Sequence, residues 1–149
     1  GRHEVRLEVS RDGLTRRCAA TAIVHAPLTA TPPQHAATIA LDPAGSRAYV
    51  VNSDAGTVGV IDTATRMVRE RINTALTPRA LEGSTPNALA YDAAAKMLFV
   101  ANADNNSVAV VRVAEKGESE VMGFIPAGWY PSALALSPDG RRLLGVGPD

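Results

Sequence analysis

The chain repeats one pattern of apolar and polar positions at an interval of about fifty residues. The apolar run at 48–51 ends at Asn52, a polar turn follows, and a second apolar run occupies 58–61. The same order returns within residues 97–111, where Asn102 ends the first run. Two short apolar runs joined by a polar turn are typical of a β-hairpin. Because the pattern recurs, the sequence predicts a repeat protein built from β-strands.

Each complete repeat is predicted to hold four short strands. The predicted strands fall at 37–41, 87–91 and 132–136 (first), 47–52, 96–102 and 141–146 (second), 56–62 and 106–113 (third), and 66–72 and 119–125 (fourth). The first strand is rich in Ala in every copy, as the innermost strand at a crowded axis should be. The fourth carries charged residues, which discourage pairing of an exposed edge with other chains. This periodicity predicts an all-β fold of four-stranded antiparallel β-propeller blades, with a β-sandwich as the alternative.

The repeat boundaries follow from this alignment. Residues 35–84 and 85–128 are predicted to be two blades, and 129–149 the start of a further blade. Residues 1–34 are interpreted as the outer strands of a preceding blade, at 3–10 and 15–24, plus a Pro-rich connection. Two complete blades cannot close a ring, so we expect the chain to be a partial ring and an excerpt of a longer protein.

Composition excludes several classes of partner. Lys plus Arg and Asp plus Glu are each 15, so the formal net charge is zero, which argues against binding to nucleic acid or to an anionic membrane surface. No apolar run approaches the roughly 20 residues of a membrane-spanning helix. Cys18 is the single cysteine, so no intrachain disulfide can form, and a buried inert thiol is favoured over a reactive one.

The repeated segments resemble a known family. Residues 48–52 and 98–102, each followed by a turn that contains Gly or Asn, resemble the YVTN-type β-propeller repeat. Residues 83–90, 101–102, 105–111 and 123–131 resemble the group fused to an alkaline-phosphatase-like phosphoesterase domain. The resemblance implies an excerpt of a seven-bladed propeller in the periplasm or outside the cell. The metal ligands of the phosphoesterase would lie in a separate domain, so no catalytic residue is carried over.

No metal, cofactor or catalytic constellation is predicted in this chain. The three His residues are widely separated and have no partner at zinc-binding spacing. Asn102, Asp104 and Asn106 place oxygens at alternate positions, as a calcium loop does, but the central Gly and the acidic twelfth ligand are missing. A hairpin turn with Asx chemistry is therefore the favoured interpretation of these three residues.

The candidate binding surface is the set of loops that enter the inner strands, which would line one mouth of the central channel. Five residues of these loops are predicted to contact a ligand or partner: His35, Thr85, Asn87, Trp129 and Tyr130. The last two are adjacent aromatics in a chain with only 4% aromatic residues. Packing of Trp129 between blades and contact of Trp129 with a ligand both stay open.

These observations favour a non-catalytic propeller segment that binds a partner or serves as a scaffold in a larger extracytoplasmic protein. The alternatives are an accessory propeller of a phosphoesterase and part of a lactonase-like propeller enzyme. The expected partners are the remaining blades of the same propeller, an adjoining phosphoesterase domain, and a protein or small-molecule ligand whose identity the sequence leaves open. Fold by itself does not decide among them.

Overall fold

The computed structural model describes residues 2–11, 14–23, 37–77 and 84–147. The chain divides into two compact units, Gly1–Pro33 and Gln34–Asp149. The first unit contains an antiparallel pair of strands, β1 (Arg2–Arg11) and β2 (Leu14–Ile23). Both strands were expected from the sequence. The Pro-rich connection at 25–34 lies outside the described residues.

The described residues of the second unit form three antiparallel sheets, each with its strands in chain order. The first sheet contains β3 (Ile39–Leu41), β4 (Arg47–Asn52), β5 (Thr57–Asp62) and β6 (Val68–Asn73). The second contains β7 (Pro86–Asp92), β8 (Met97–Asn102), β9 (Ser107–Arg112) and β10 (Glu120–Pro126). The third contains β11 (Ala133–Leu136) and β12 (Leu143–Val146). The all-β prediction with four-stranded antiparallel sheets is confirmed.

No helix occurs in the described ranges, and hence none that is long and apolar enough to cross a membrane.

The second sheet buries both of its faces, because successive side chains of a strand point to opposite sides. One face packs on the first sheet, in a cluster that includes Tyr49, Val58, Val60, Leu89, Leu98, Val100 and Val111. The other face packs on the third sheet, in a cluster of Ala88, Ala90, Ala101, Val108 and Leu134. This two-sided burial explains why β8 reads as a continuous apolar run rather than as an alternating one.

Small side chains let the inner strands approach each other closely. Ala88 and Ala90 of β7 are both buried. The backbone N–H of Leu89 donates a hydrogen bond to the carbonyl of Ala37, with the two atoms 2.8 Å apart. The Ala-rich first strand that the sequence predicted is therefore part of the contact between neighbouring sheets.

Polar contacts join the first two sheets at the end where the β9–β10 connection lies. Arg47 donates from its guanidinium to the carbonyls of Ala114, at 2.8 Å, and Glu115. The carboxylate of Glu70 accepts hydrogen bonds from the backbone N–H and the hydroxyl of Ser119. Two side chains of the first sheet thus fix the connection at 114–119 of the second.

The turn between β5 and β6 is organised by one carboxylate. Asp62 accepts a hydrogen bond from the N–H of Thr65 at 2.8 Å, and its carbonyl accepts one from the N–H of Arg66 at 2.7 Å. Its carboxylate also pairs with Arg69. The Thr65 N–H, followed by the Arg69 guanidinium, lowers the pKa of Asp62 from 3.8 to about 2. The charged form is therefore the one that the folded turn prefers.

Replacing Asp62 by Asn should lower the thermal midpoint Tm at pH 7, because the amide cannot provide the charge that Arg69 and the turn N–H groups favour. A carboxylate with a lowered pKa stabilises the fold above its unfolded pKa and loses that effect as the pH falls toward its folded value. The difference in Tm should therefore shrink between pH 4 and pH 2. Asp54→Asn, at an exposed turn position, is the control. A difference that is constant with pH would contradict the assignment.

Candidate ligand-binding mouth

One edge of the second unit contains loops that the sequence predicted to bind a ligand or partner, and we call it the mouth edge. It comprises residues 53–56, 74–77, 84–87, 103–106 and 127–132. Thr85 immediately precedes β7 and Asn87 is its second residue, while Trp129 and Tyr130 precede β11. The structure therefore places four of the five nominated residues on this edge. His35 lies outside the described residues.

Two loops of the mouth edge hold a backbone conformation that side chains disfavour. Thr85 has a φ of 41° and Tyr130 a φ of 47°, and each immediately precedes a proline. A left-handed φ costs a non-glycine residue about 1–3 kcal/mol, and a following proline restricts the backbone further. The same strain at equivalent positions of two repeats shows that the surrounding structure imposes it.

The turn at 103–106 supplies the contacts that hold both loops. The hydroxyl of Thr85 donates to the carboxylate of Asp104, and the Ala103 N–H donates to the Thr85 carbonyl at 3.1 Å. The Tyr130 N–H donates to the side-chain oxygen of Asn106 at 2.9 Å. One turn thus fixes the loop in front of β7 and the loop in front of β11.

The three polar residues at alternate positions of this segment, Asn102, Asp104 and Asn106, each contact a different loop. Asn102 donates its side-chain N–H to the carbonyl of Thr74 at 2.7 Å. Asp104 holds Thr85, and Asn106 holds Tyr130. The interpretation as a hairpin turn agrees with the turn observed at 103–106. Sequence reasoning missed that the three side chains reach three different loops, since those partners lie 28, 19 and 24 residues away.

The aromatic pair stands at the surface of the described region. Trp129 is 75% exposed and Tyr130 is 39% exposed. Trp129 does not pack between the described sheets, and instead lines a groove of about 370 Å³ with residues that include Val108, Leu134 and Leu143. Among the described residues, most of its side chain is therefore uncovered.

The path of this loop depends on a glycine in the third repeat. Gly147 stands where the first two repeats have Asn52 and Asn102. A Cβ atom at Gly147 would overlap the carbonyl oxygen of Trp129 and lie 3.1 Å from that of Tyr130. The loss of the repeated Asn thus provides the space in which the loop at 129–130 sits.

Asn87 is anchored through its neighbour rather than through its own side chain. The Ser53 hydroxyl donates to the carbonyl of Pro86 at 2.7 Å, which fixes the start of β7. The side-chain oxygen of Asn87 is buried and finds no hydrogen-bond partner among the described residues. Asn87 as a whole is half-buried at the mouth edge.

In the groove at the opposite end of the first two sheets, polar side chains are bonded to other atoms of the protein. It has a volume of about 570 Å³, and Tyr49 and Tyr91 line it with ring centroids 4.9 Å apart. Burial raises the pKa of Tyr49, so its phenol stays protonated. Arg47 is bonded to two carbonyls, and Lys96 is paired with Glu115. The positive side chains of Arg47 and Lys96 in this groove are thus held by other protein atoms.

The mouth edge presents polar and aromatic side chains. Within the described ranges, no group of three or more His, Cys, Asp or Glu side chains could hold a metal ion. The edge instead presents a carboxylate at Asp104, an amide at Asn87, and the aromatic faces of Trp129 and Tyr130. Such a surface can hydrogen-bond hydroxyl groups and stack on an apolar ring face.

The strain at Tyr130 yields a test by substitution. Tyr130→Asn should have a higher Tm than Tyr130→Val, because Asn tolerates a left-handed φ and a β-branched side chain does not. A difference of about 1 kcal/mol corresponds to a few degrees in Tm, which thermal unfolding resolves. Leu144 in β12 is exposed and extended, so the order of the same two substitutions should reverse there. Equal or higher stability of Tyr130→Val would contradict the strained conformation.

Comparison with solved structures shows the same fold in larger proteins. Hydrazine synthase from Kuenenia stuttgartiensis is 25% identical with a TM-score of 0.60, over 83% of this chain and 32% of that one. A candidate 6-phosphogluconolactonase from Bacteroides uniformis is 18% identical with a TM-score of 0.62, over 93% and 39%. The periplasmic gluconolactonase of Pseudomonas aeruginosa is 24% identical with a TM-score of 0.52, over 73% and 32%. The chain thus spans 32–39% of the length of these structures.

Comparison of sequences identifies the family. No protein with a curated description matches the chain. Residues 20–148 match the family model described as lactonase, 7-bladed beta-propeller. The sheets of the second unit are therefore part of a seven-bladed propeller, which implies the remaining blades of the same ring as their neighbours. The predicted resemblance is confirmed at the level of a β-propeller, and the chain belongs to the lactonase, 7-bladed β-propeller family.

Proposed function

We propose that this chain supplies part of the ligand-binding mouth of a lactonase-type propeller. The observation that carries the proposal is the turn at 103–106, which holds the strained residues Thr85 and Tyr130. Asn87 and Trp129 lie beside these two residues on the same edge. Strained backbone persists where the surrounding structure enforces it, and such positions cluster at binding sites. The family match supports the lactonase alternative over a scaffold role or an accessory role to a phosphoesterase.

The ligand that suits this edge is a small, hydroxyl-rich cyclic ester, such as the lactone of a sugar acid. Hydroxyl groups need partners that both donate and accept, which the Asn87 amide and the Asp104 carboxylate provide. The carbon face of a sugar ring needs an aromatic surface, which Trp129 exposes. A charged polymer would instead need a strongly charged surface, and the chain has no net charge.

The proposed role of this segment is binding and orientation rather than the complete reaction. Opening a lactone requires a base that activates water and donors that stabilise the charge developing on the carbonyl oxygen. The mouth edge holds Asp104 as one carboxylate, already occupied by the Thr85 hydroxyl. The other groups would come from further blades around the same channel. A periplasmic or extracellular location is proposed with this role.

Trp129 makes the proposal directly measurable, because it is the single tryptophan of the chain. Titration with glucono-δ-lactone, and separately with gluconate, should change its fluorescence in a saturable way. Asn106→Gly keeps a turn with a φ of 49° accessible but removes the oxygen that holds Tyr130. The variant should therefore bind the lactone more weakly, because the loop that carries Trp129 and Tyr130 is no longer held at the mouth edge.

Asn105→Gly is the matched control, since it changes the same turn without removing the Asn106 contact. It should leave the dissociation constant of the lactone unchanged. A flat fluorescence response in a chain that still unfolds cooperatively would contradict lactone binding. Equal weakening by both Gly variants would show that the turn at 103–106 acts only through general rigidity.

A further inference from the structure

A group of buried polar side chains lies between the first and second sheets at the mouth edge, and we call it the interface cluster. It consists of Thr74, Ser84, Asn102 and Ser107, whose exposed fractions are 0%, 1%, 0% and 5%. Along the rest of this interface the buried residues are mainly apolar. A polar group inside such an interface needs a partner for every donor and acceptor that it buries.

The protein satisfies only part of the interface cluster. The side-chain N–H of Asn102 donates to the Thr74 carbonyl at 2.7 Å. The Thr74 hydroxyl donates to the carbonyl of Gly56 at 3.0 Å. The side-chain oxygen of Asn102 and the hydroxyls of Ser84 and Ser107 are buried without a hydrogen-bond partner among the described residues.

Two of these oxygens belong to paired residues, and the third is linked to the same cluster through Gly56. Asn102 and Ser107 are directly opposite each other in the pairing of β8 with β9, so their side chains lie on the same face of the second sheet. Ser84 approaches from the loop in front of β7, where its hydroxyl would lie 3.1 Å from a Cβ atom at Gly56. Gly56 also accepts the Thr74 bond, which links Ser84 to the same group.

The chemistry of the cluster selects the kind of ligand. It offers two hydroxyls, which can donate or accept, and one amide oxygen, which can only accept. None of its members carries a charge, so it lacks the carboxylates with which proteins bind divalent cations. Water is the neutral molecule that can donate to the amide oxygen and accept from the hydroxyls at once. Several unpaired oxygens together would otherwise be strongly destabilising.

We propose that Ser84, Asn102 and Ser107 bind ordered water between the first and second sheets. This water completes a polar network that runs from Gly56 through Thr74 and Asn102 toward the loop at 84–87. The network ties the mouth edge to the interface between sheets, and it is independent of whether the mouth binds a lactone.

Alanine substitution distinguishes a hydrated hydroxyl from an unpaired one by the sign of its effect. Removing a buried hydroxyl that has no partner should leave Tm unchanged or raise it, whereas removing one bonded to ordered water should lower it. Ser84→Ala and Ser107→Ala should therefore each lower Tm by a few degrees. The decrease in Tm of the double variant should be smaller than the sum of the two single decreases, because both hydroxyls belong to one water network.

Ser53→Ala is the matched control, because its hydroxyl has a protein partner in the Pro86 carbonyl and its removal should lower Tm whether or not water is present. An unchanged or raised Tm in Ser84→Ala and Ser107→Ala would overturn the proposal, as would fully additive losses. A crystal structure of the unmodified chain gives an independent measurement. It should show water within about 3.2 Å of the Asn102 side-chain oxygen and of a serine hydroxyl. Direct bonding of these oxygens to protein atoms would overturn the proposal as well.

Discussion

The second unit depends on one constraint, which is that the second sheet must bury both of its faces. A four-stranded sheet with an apolar face on each side is unstable in water unless a neighbour covers each face. Here the first sheet covers Leu98 and Val100, and the third covers Ala88 and Ala101. The alternation of large side chains on one face and small ones on the other sets how closely each neighbour can approach.

The candidate site follows from that packing. Once the three sheets are stacked, their hairpin ends and entry loops come together at one edge. The turn at 103–106 belongs to the buried second sheet, so it is held in place by the best-packed strands of the described region. Its side chains can then hold the Thr85 and Tyr130 loops in conformations that those loops would not adopt alone. A rigid sheet thus positions a binding edge built from loops.

The strands could be predicted from the sequence because the alternation of apolar and polar residues with a period of two indicates which side chains face a neighbouring sheet. The predicted bounds of β4 and the observed Arg47–Asn52 are the same, and most other strands agree within one or two residues. The strand predicted at 37–41 is shorter, at Ile39–Leu41, because pairing with β4 begins only where Ile39 meets Val50. The local sequence pattern predicts the direction of side chains better than it predicts the residue at which strand pairing begins.

The site was less predictable, because its contacts join residues that only the stacking of sheets brings together. The sequence nominated the four described mouth residues from their place before the inner strands, and it identified the turn at 102–106. It gave no sign that Asp104 and Asn106 hold those residues, or that Gly147 makes room for Trp129. The resemblance to a propeller predicted the architecture, while the family match favours the lactonase role over the scaffold role.

Amide hydrogen exchange tests the central claim that the two-sided burial of the second sheet supports both the fold and its mouth edge. Protection against exchange follows the free energy of local opening, which is highest in the most buried strands. The account predicts that the amides of β8 (Met97–Asn102) exchange more slowly than those of β4 (Arg47–Asn52) and β12 (Leu143–Val146). Slower exchange in β4 or β12 than in β8, or uniform exchange across the three strands, would contradict it.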